Sequence, residues 1–429
     1  MAAASQASRA HLRNLILLGC GFFGVFLAFN ATQSLQSSLN KEVGFVSVAT
    51  LYAAFFLSTV PSAFIVDRIG AKACLVAGGI TYVAYIAANL HPSYATLVPT
   101  AALLGLGAAI IWTAQGAVVT ENAMSYAMLN GEESKSALGL FNGIFWGMFQ
   151  FNSTVGSLTS ALILKYAGDN AVKILFYTFI AVSATGCCVF VLLGKSRPDN
   201  GAGDDATRRL VDPTDAAADS MRAVKTVSFW DTIGMLRDGR MLRLLPIMFY
   251  SGLEIGYVTG NFTSDFVSTY LDTSDVGFVM AAFYFANALA SMLFSRISDG
   301  IDRRILFLVG GLAHVAALVL LLCPFTWGGA TTYVLLFSAA VVFGIGDAVW
   351  NTQIGALLGV YFPDDSPAAF ANLKMWSSLG TAIVFFVGDH IAADSKIIAL
   401  LVALVVGIAV YLTLPPAERS QKRRAAINN

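Results

Sequence analysis

The chain predicts an all-α membrane protein, twelve transmembrane helices arranged as two pseudo-symmetric six-helix bundles. Three observations carry that fold class. Apolar residues make up 57% of the 429 residues and charged residues 12%, against about 45–50% and 25% in soluble domains, and mean hydropathy is +0.70. Apolar stretches of about 20 residues, the length that crosses the hydrocarbon layer, fall into two sets of six. The two sets repeat polar landmarks in the same order, as expected of a duplicated transporter-type fold.

Taken in order, spans 1 to 6 are predicted near residues 14–38, 44–66, 72–91, 94–120, 136–165 and 171–194. Spans 7 to 12 are predicted near 241–268, 275–297, 303–323, 331–360, 366–389 and 396–415. The N-terminal bundle is therefore 1–194, a linker with an interfacial helix 195–240, the C-terminal bundle 241–416, and a basic tail 417–429. In the linker, 197–225 is rich in Asp, Ala, Gly and Arg with few large apolar residues, a composition that does not build a core. Apolar residues over 229–237 recur at helical period, which suits a helix lying along the membrane surface. The first 13 residues are Ala- and Ser-rich with Arg9 and Arg13. The apolar run that follows lacks a small-residue cleavage site and is read as a retained first helix.

With the N-terminus inside, alternate loops place about 21 Lys and Arg on the inner side and about four outside, with Lys374 within a span. By the positive-inside rule both termini and the linker are cytoplasmic. An integral protein of the plasma membrane, rather than of endomembranes, is the expectation. Zero net charge offers no basic surface for nucleic acid. Cys20, Cys74, Cys187, Cys188 and Cys323 fall in apolar segments without zinc-site spacing and read as free thiols. The sequons at Asn30, Asn152 and Asn261 lie in or beside spans and read as helix polar residues.

The repeats are specific in spacing. Asp67 with Arg68 and Lys72 after span 2 is answered by Asp299 with Arg303 and Arg304 after span 8. Trp112 and Gln115 in span 4 are answered by Trp350 and Gln353 in span 10, and Asn142 and Trp146 in span 5 by Asn372 and Trp376 in span 11. The loop residues suit a conformational latch, in which Asp67 caps a neighbouring helix N-terminus or pairs with a base. A static loop salt bridge is the other reading.

The residue around which the chain is organised is Asp347. A carboxylate near the centre of a membrane helix costs roughly 2.5–3.5 kcal/mol on insertion scales, so it persists where it faces water or a partner. Asn351 lies at i+4, with Trp350 and Gln353 beside it, making one polar stripe. The stripe suits an ion or solute pathway, and equally an interhelical hydrogen-bond staple. Glu254 in span 7 and Lys374 in span 11 are the other ionisable residues well placed for a pathway, with Glu121 and Asp265 toward helix ends. Lys374 is expected to pair with Asp347 or Glu254, or to reach the cytoplasmic surface. Gln115, Asn142, Gln150 and Asn152, with Gln33, Gln36 and Ser37, suit an outer vestibule or pathway lining. Gly252 and Gly256 leave room for polar contact beside Glu254. Gly139, Gly143 and Gly147 read as a face for close helix packing.

Gly19, Gly21 and Gly24 match a dinucleotide fingerprint, but no strand precedes them and the segment is a span, so the match fails. His11, His91, His314 and His390 are scattered without a nucleophile motif, so no enzyme activity, cofactor or metal site is expected.

The loop after span 2 resembles the motif of the major facilitator superfamily in Asp67, Arg68, Gly70 and Lys72, with Ala63 and Ala71 departing from its usual Gly and Arg. Residues 33–39 (QSLQSSL), 251–254 (SGLE), 346–353 (GDAVWNTQ) and 369–376 (AFANLKMW) together resemble the uncoordinated-93 family, also called ion channel regulatory proteins, a branch of that superfamily. The resemblance covers nearly the whole chain apart from the tails and linker. It implies the facilitator fold and a link to potassium balance or channel regulation, without implying a known substrate. Two functions follow as expectations. One is transport of a small cation or other solute through a midplane site using Asp347 and Glu254. The other is a non-transporting regulator or trafficking partner of a channel or receptor.

Overall fold

The computed structural model describes residues 2–194, 229–298, 301–323, 328–362 and 365–415. Asp299, the tail 417–429 and the linker before Phe229 lie outside the described residues. Among the described residues the secondary structure is helical throughout, without strands.

Among the described residues, ten helices are long and apolar enough to cross a membrane: Ser8–Leu39, Lys41–Ile69, Ala71–Ala88, Tyr94–Asn130, Gly168–Val191, Thr273–Ile297, Arg303–Leu322, Gly329–Tyr361, Pro367–Val387 and Ala393–Leu412. They are spans 1–4, 6 and 8–12. The other two passages are irregular. Span 5, expected as one helix, is two: Ser134–Phe149 and Asn152–Tyr166. The break is stabilised from inside the bundle, because Asn152 donates to the freed Phe149 carbonyl at 2.7 Å while Asn30 of span 1 donates to Asn152 and Ser153. Buried backbone carbonyls need such partners. Span 7 is the helix Gly239–Gly256 continued as a π-helix over Tyr257–Val267.

Packing follows a two-fold pattern. In the first half, spans 2 and 3 pack on span 4, and spans 1 and 3 on span 6; in the second, spans 8 and 9 pack on span 10, and spans 7 and 9 on span 12. Between halves, span 1 meets span 7, span 2 meets span 11 and span 5 meets span 8. The last two contacts exchange when each span is replaced by its repeat, so the duplication read in the sequence is also a symmetry of the interface. Large apolar side chains such as Leu57, Phe64, Leu312, Val334, Phe386 and Val405 are exposed on the outside, where a bilayer takes the place of a core.

The halves are closed at the end where span 1 leads into span 2. There Gln33 donates to Thr259 at 3.3 Å, Ser37 to the Gly260 carbonyl at 2.8 Å, and the rings of Phe45 and Phe385 are 5.8 Å apart. Gln33, Gln36 and Ser37 are buried, so they do not line an open vestibule in this conformation; they bind the halves together. The other end is open. A Cβ at Gly139, Gly143 or Gly147 would meet nothing within 4 Å, which corrects the close-packing reading of that ladder. Asn142 and Trp146 beside it, and Asn351 and Lys374 in the second half, are exposed. These side chains flank the space between the halves, termed the chamber, where Lys374 reaches the Trp112 ring of the first half.

Gly252 and Gly256 serve packing rather than polar access. A Cβ at Gly252 would collide with the Ser377 backbone of span 11, and one at Gly256 would lie 3.2 Å from Thr381. The short helix Phe229–Gly234 tucks against spans 2 and 11, where Asn372 donates to the Thr232 carbonyl at 2.9 Å.

Candidate functional site

Asp347 lies in the last turn of the α-helical part of span 10, three residues before the π-helix Trp350–Ile354. A π turn admits an extra residue and recurs at functional sites. Here Glu254 and Asp347 both precede such a segment. Asp347 is buried. Its Oδ2 accepts hydrogen bonds from Asn351 at 2.9 Å and from Asn287 of span 8. Asn287 in turn accepts from Gln150, at the break in span 5, at 2.8 Å. A polar chain therefore runs from one half to the other, and its far member, Asn351, is exposed to the chamber. Nothing in the sequence marks Asn287 beyond its being an amide in an apolar span.

Glu254 is 1% exposed. Its carboxyl adjoins that of Asp347, neither of its oxygens receives a hydrogen bond, and its Oε1 is 3.8 Å from His314 Nε2. His314, fully buried in span 9, was not singled out by sequence. The rule that identifies Asp347, a polar group costly in lipid, applies to it too. Its isolation along the chain hid the cluster that spans 7, 9 and 10 assemble. The Trp350 indole can only donate, and its Nε1 lies 3.2 Å from His314 Nδ1. Nδ1 is therefore the acceptor nitrogen, with Tyr250 Oη also at 2.8 Å, and the ring proton sits on Nε2, 3.2 Å from the Phe343 carbonyl.

Lys374 forms neither expected ion pair. Its Nζ lies 5.1 Å from the ring centroid of Trp112, in the opposite half, and Trp112 stacks on Trp146 with centroids 5.9 Å apart. The spans diverge around the chamber, so the lysine reaches an aromatic face across it, a contact worth about 0.5–2 kcal/mol. The repeated tryptophans thus differ in setting. Trp350 is buried and bonded to His314, whereas Trp112 and Trp146 face the open side. Gln115 and Gln353 are buried; Gln353 donates to Thr352 at 3.1 Å, and its Oε1 has no partner. Trp376 Nε1 is likewise without a partner, and Asn142 donates to the Leu138 carbonyl of its own helix at 2.9 Å.

The expected pairing of Asp67 with a base is not made in this conformation. Asp67 is exposed and forms no salt bridge among the described residues, and Arg68 lies 4.9 Å from the ring centroid of Phe64, on its own helix. Lys72 donates to the Leu193 carbonyl at the end of span 6 at 2.6 Å. Its counterpart Arg304 donates to Leu414 after span 12 at 2.7 Å, and Arg303 lies near Tyr361 and Tyr411. With the halves apart at this end, each base meets the negative end of a helix in its own half.

The profile of the family described as "Ion channel regulatory protein UNC-93" matches residues 36–412. UNC93-like protein 3 of Arabidopsis thaliana is 34% identical over 405 residues, covering 92% of this chain and 84% of that protein. A Caenorhabditis elegans protein named as a potassium channel regulatory protein, unc-93, is 26% identical over 448 residues, covering 96% of this chain and 62% of that protein. Among solved structures, the nucleoside transporter NupG aligns with a TM-score of 0.65 at 13% identity, over 93% of this chain and 99% of that one. That likeness gives the fold, two six-helix bundles.

Proposed function

The chain belongs to the UNC-93 family, and from that premise we propose that it is a transporter-type membrane protein moving a small cation through the Asp347–Glu254 site by alternating access. One observation carries the reading: Gln150, Asn287 and Asp347 bridge the halves at the boundary between a closed end and an open chamber. A charge-bearing bridge placed there senses an ion and changes how the halves meet. Lys374, Trp112, Trp146 and Asn142 line the approach in this reading, and Gln115, Trp376, Asn351 and Gln353 support it. Asp67, Arg68 and Lys72 form the latch when the chamber closes. The open chamber faces the cytoplasm, as do both termini, and the membrane is the plasma membrane. Potassium is the first cation to test, because a relative's name refers to a potassium channel.

Flux of potassium or rubidium into proteoliposomes holding this protein alone tests the proposal. Intrinsic flux that Asp347→Asn reduces at least tenfold supports it; equal flux in both removes Asp347 from the mechanism.

The family description favours a second reading, a non-transporting regulator of a channel. Here the bridge serves as a structural staple. Wild-type protein without flux that still modulates a co-expressed potassium channel supports this reading over the first.

A further inference from the structure

A buried carboxylate with no hydrogen-bond donor is among the least favourable arrangements in a protein interior, and Glu254 has that arrangement on both oxygens. Its nearest acidic neighbour adds a second negative charge, and two adjoining carboxylates do not both stay ionised.

No cation among the described residues relieves the pair. From span 9, His314 presents a neutral ring whose protonated Nε2 is 3.2 Å from the Phe343 carbonyl and whose lone pair is engaged by Trp350 and Tyr250. It is therefore neither a counter-charge nor a ligand for a metal held by the carboxyls. From span 11, Lys374 is turned to Trp112. From span 12, Lys396 is held by Asp265 at 2.6 Å. Span 8 contributes Tyr284 and Asn287, span 7 itself Tyr250 and Tyr257, and span 1 amides and hydroxyls.

We propose that Glu254 and Asp347 form a proton-binding pair, with one resident proton on Glu254 and a second taken up by Asp347 from the chamber past Asn351. This rests on the reading above that the cluster is the working site of the fold. In the resting pair, Glu254 donates its O–H to Asp347, which stays charged and holds Asn287 and Asn351. When a second proton arrives from water, Asp347 becomes neutral and no other bond changes. Its hydrogen bonds lose their charge assistance, and the Gln150–Asn287–Asp347 bridge loosens. The pH of the chamber thereby governs the contact between the halves.

Infrared spectroscopy of the purified protein in lipid at neutral pH tests this without requiring flux. A carboxylic-acid carbonyl band that shifts in heavy water and disappears in Glu254→Gln is the expected result. Should that variant fail to fold, Asp347→Asn serves instead, since the band must then change frequency as Glu254 loses its partner. Coupling is read in a background lacking native cysteines, with Ser37→Cys placed in the closed end. Acidification is expected to raise its labelling by a hydrophilic thiol reagent about fivefold or more, and Asp347→Asn to label rapidly at every pH.

No protonated-carboxyl band in the folded wild type overturns the proposal. So does a band insensitive to both variants. Labelling unaffected by pH overturns the coupling. A band without flux counts only against the transport reading, and flux without a band only against the proton pair.

Discussion

Gln150 of span 5 donates a 2.8 Å hydrogen bond to Asn287 of span 8, joining the two halves of the molecule at one side chain pair. Asn287 cannot satisfy both its neighbours if it is truncated, because one amide serves Gln150 with its oxygen and Asp347 with its nitrogen. Asn287→Ala is expected to weaken the closed end and raise labelling of Ser37→Cys, with Gln150→Ala having a smaller effect in the same direction. A double-mutant cycle should show coupling of about 0.5–3 kcal/mol, as for residues in one hydrogen-bond network. Additive effects would mean that the bridge carries no linkage.

The pair Lys396 and Asp265 lies at the closed end, with side chains 8% and 12% exposed. Removing one partner of a buried pair costs about 3–5 kcal/mol, while replacing both with apolar residues is often neutral. Lys396→Met should therefore lower the unfolding temperature in detergent, and Lys396→Met with Asp265→Leu should recover most of the loss. A double variant as unstable as the single would contradict this account.

At Gly252, any side chain collides with the Ser377 backbone. Gly252→Ala forces spans 7 and 11 apart and is expected to cost about 1–3 kcal/mol, the usual range for overpacking. Gly143→Ala, facing open space, should leave stability nearly unchanged. Thermal unfolding of the two variants side by side checks the contrast.

Lys374 faces the chamber rather than an acid. Lys374→Cys should react with a hydrophilic thiol reagent from the open end, and Lys374→Ala should alter flux far more than stability, since the aromatic contact is worth about 0.5–2 kcal/mol. An unreactive Lys374→Cys in folded protein would place this residue away from water.

The membrane class, the duplication and the identity of Asp347 as an interior acid were all legible in the sequence, because lipid imposes its cost residue by residue along the chain. Asn351 is legible for the same local reason, as an i+4 neighbour bonded to Asp347 at 2.9 Å. The break in span 5 was not, since its stabilising amide, Asn30, comes from span 1. His314 and Asn287 were not, since each gains meaning only from residues on other spans. Lys374 shows the limit most clearly. Its charge demanded a partner, and the sequence offered two carboxylates. The helices diverge around the open chamber and put the ring of Trp112 within its reach instead. Sequence alone determined which residues are costly to bury and how often they recur. Which of them meet was decided by the tertiary structure, because helix packing sets distances that spacing along the chain does not encode.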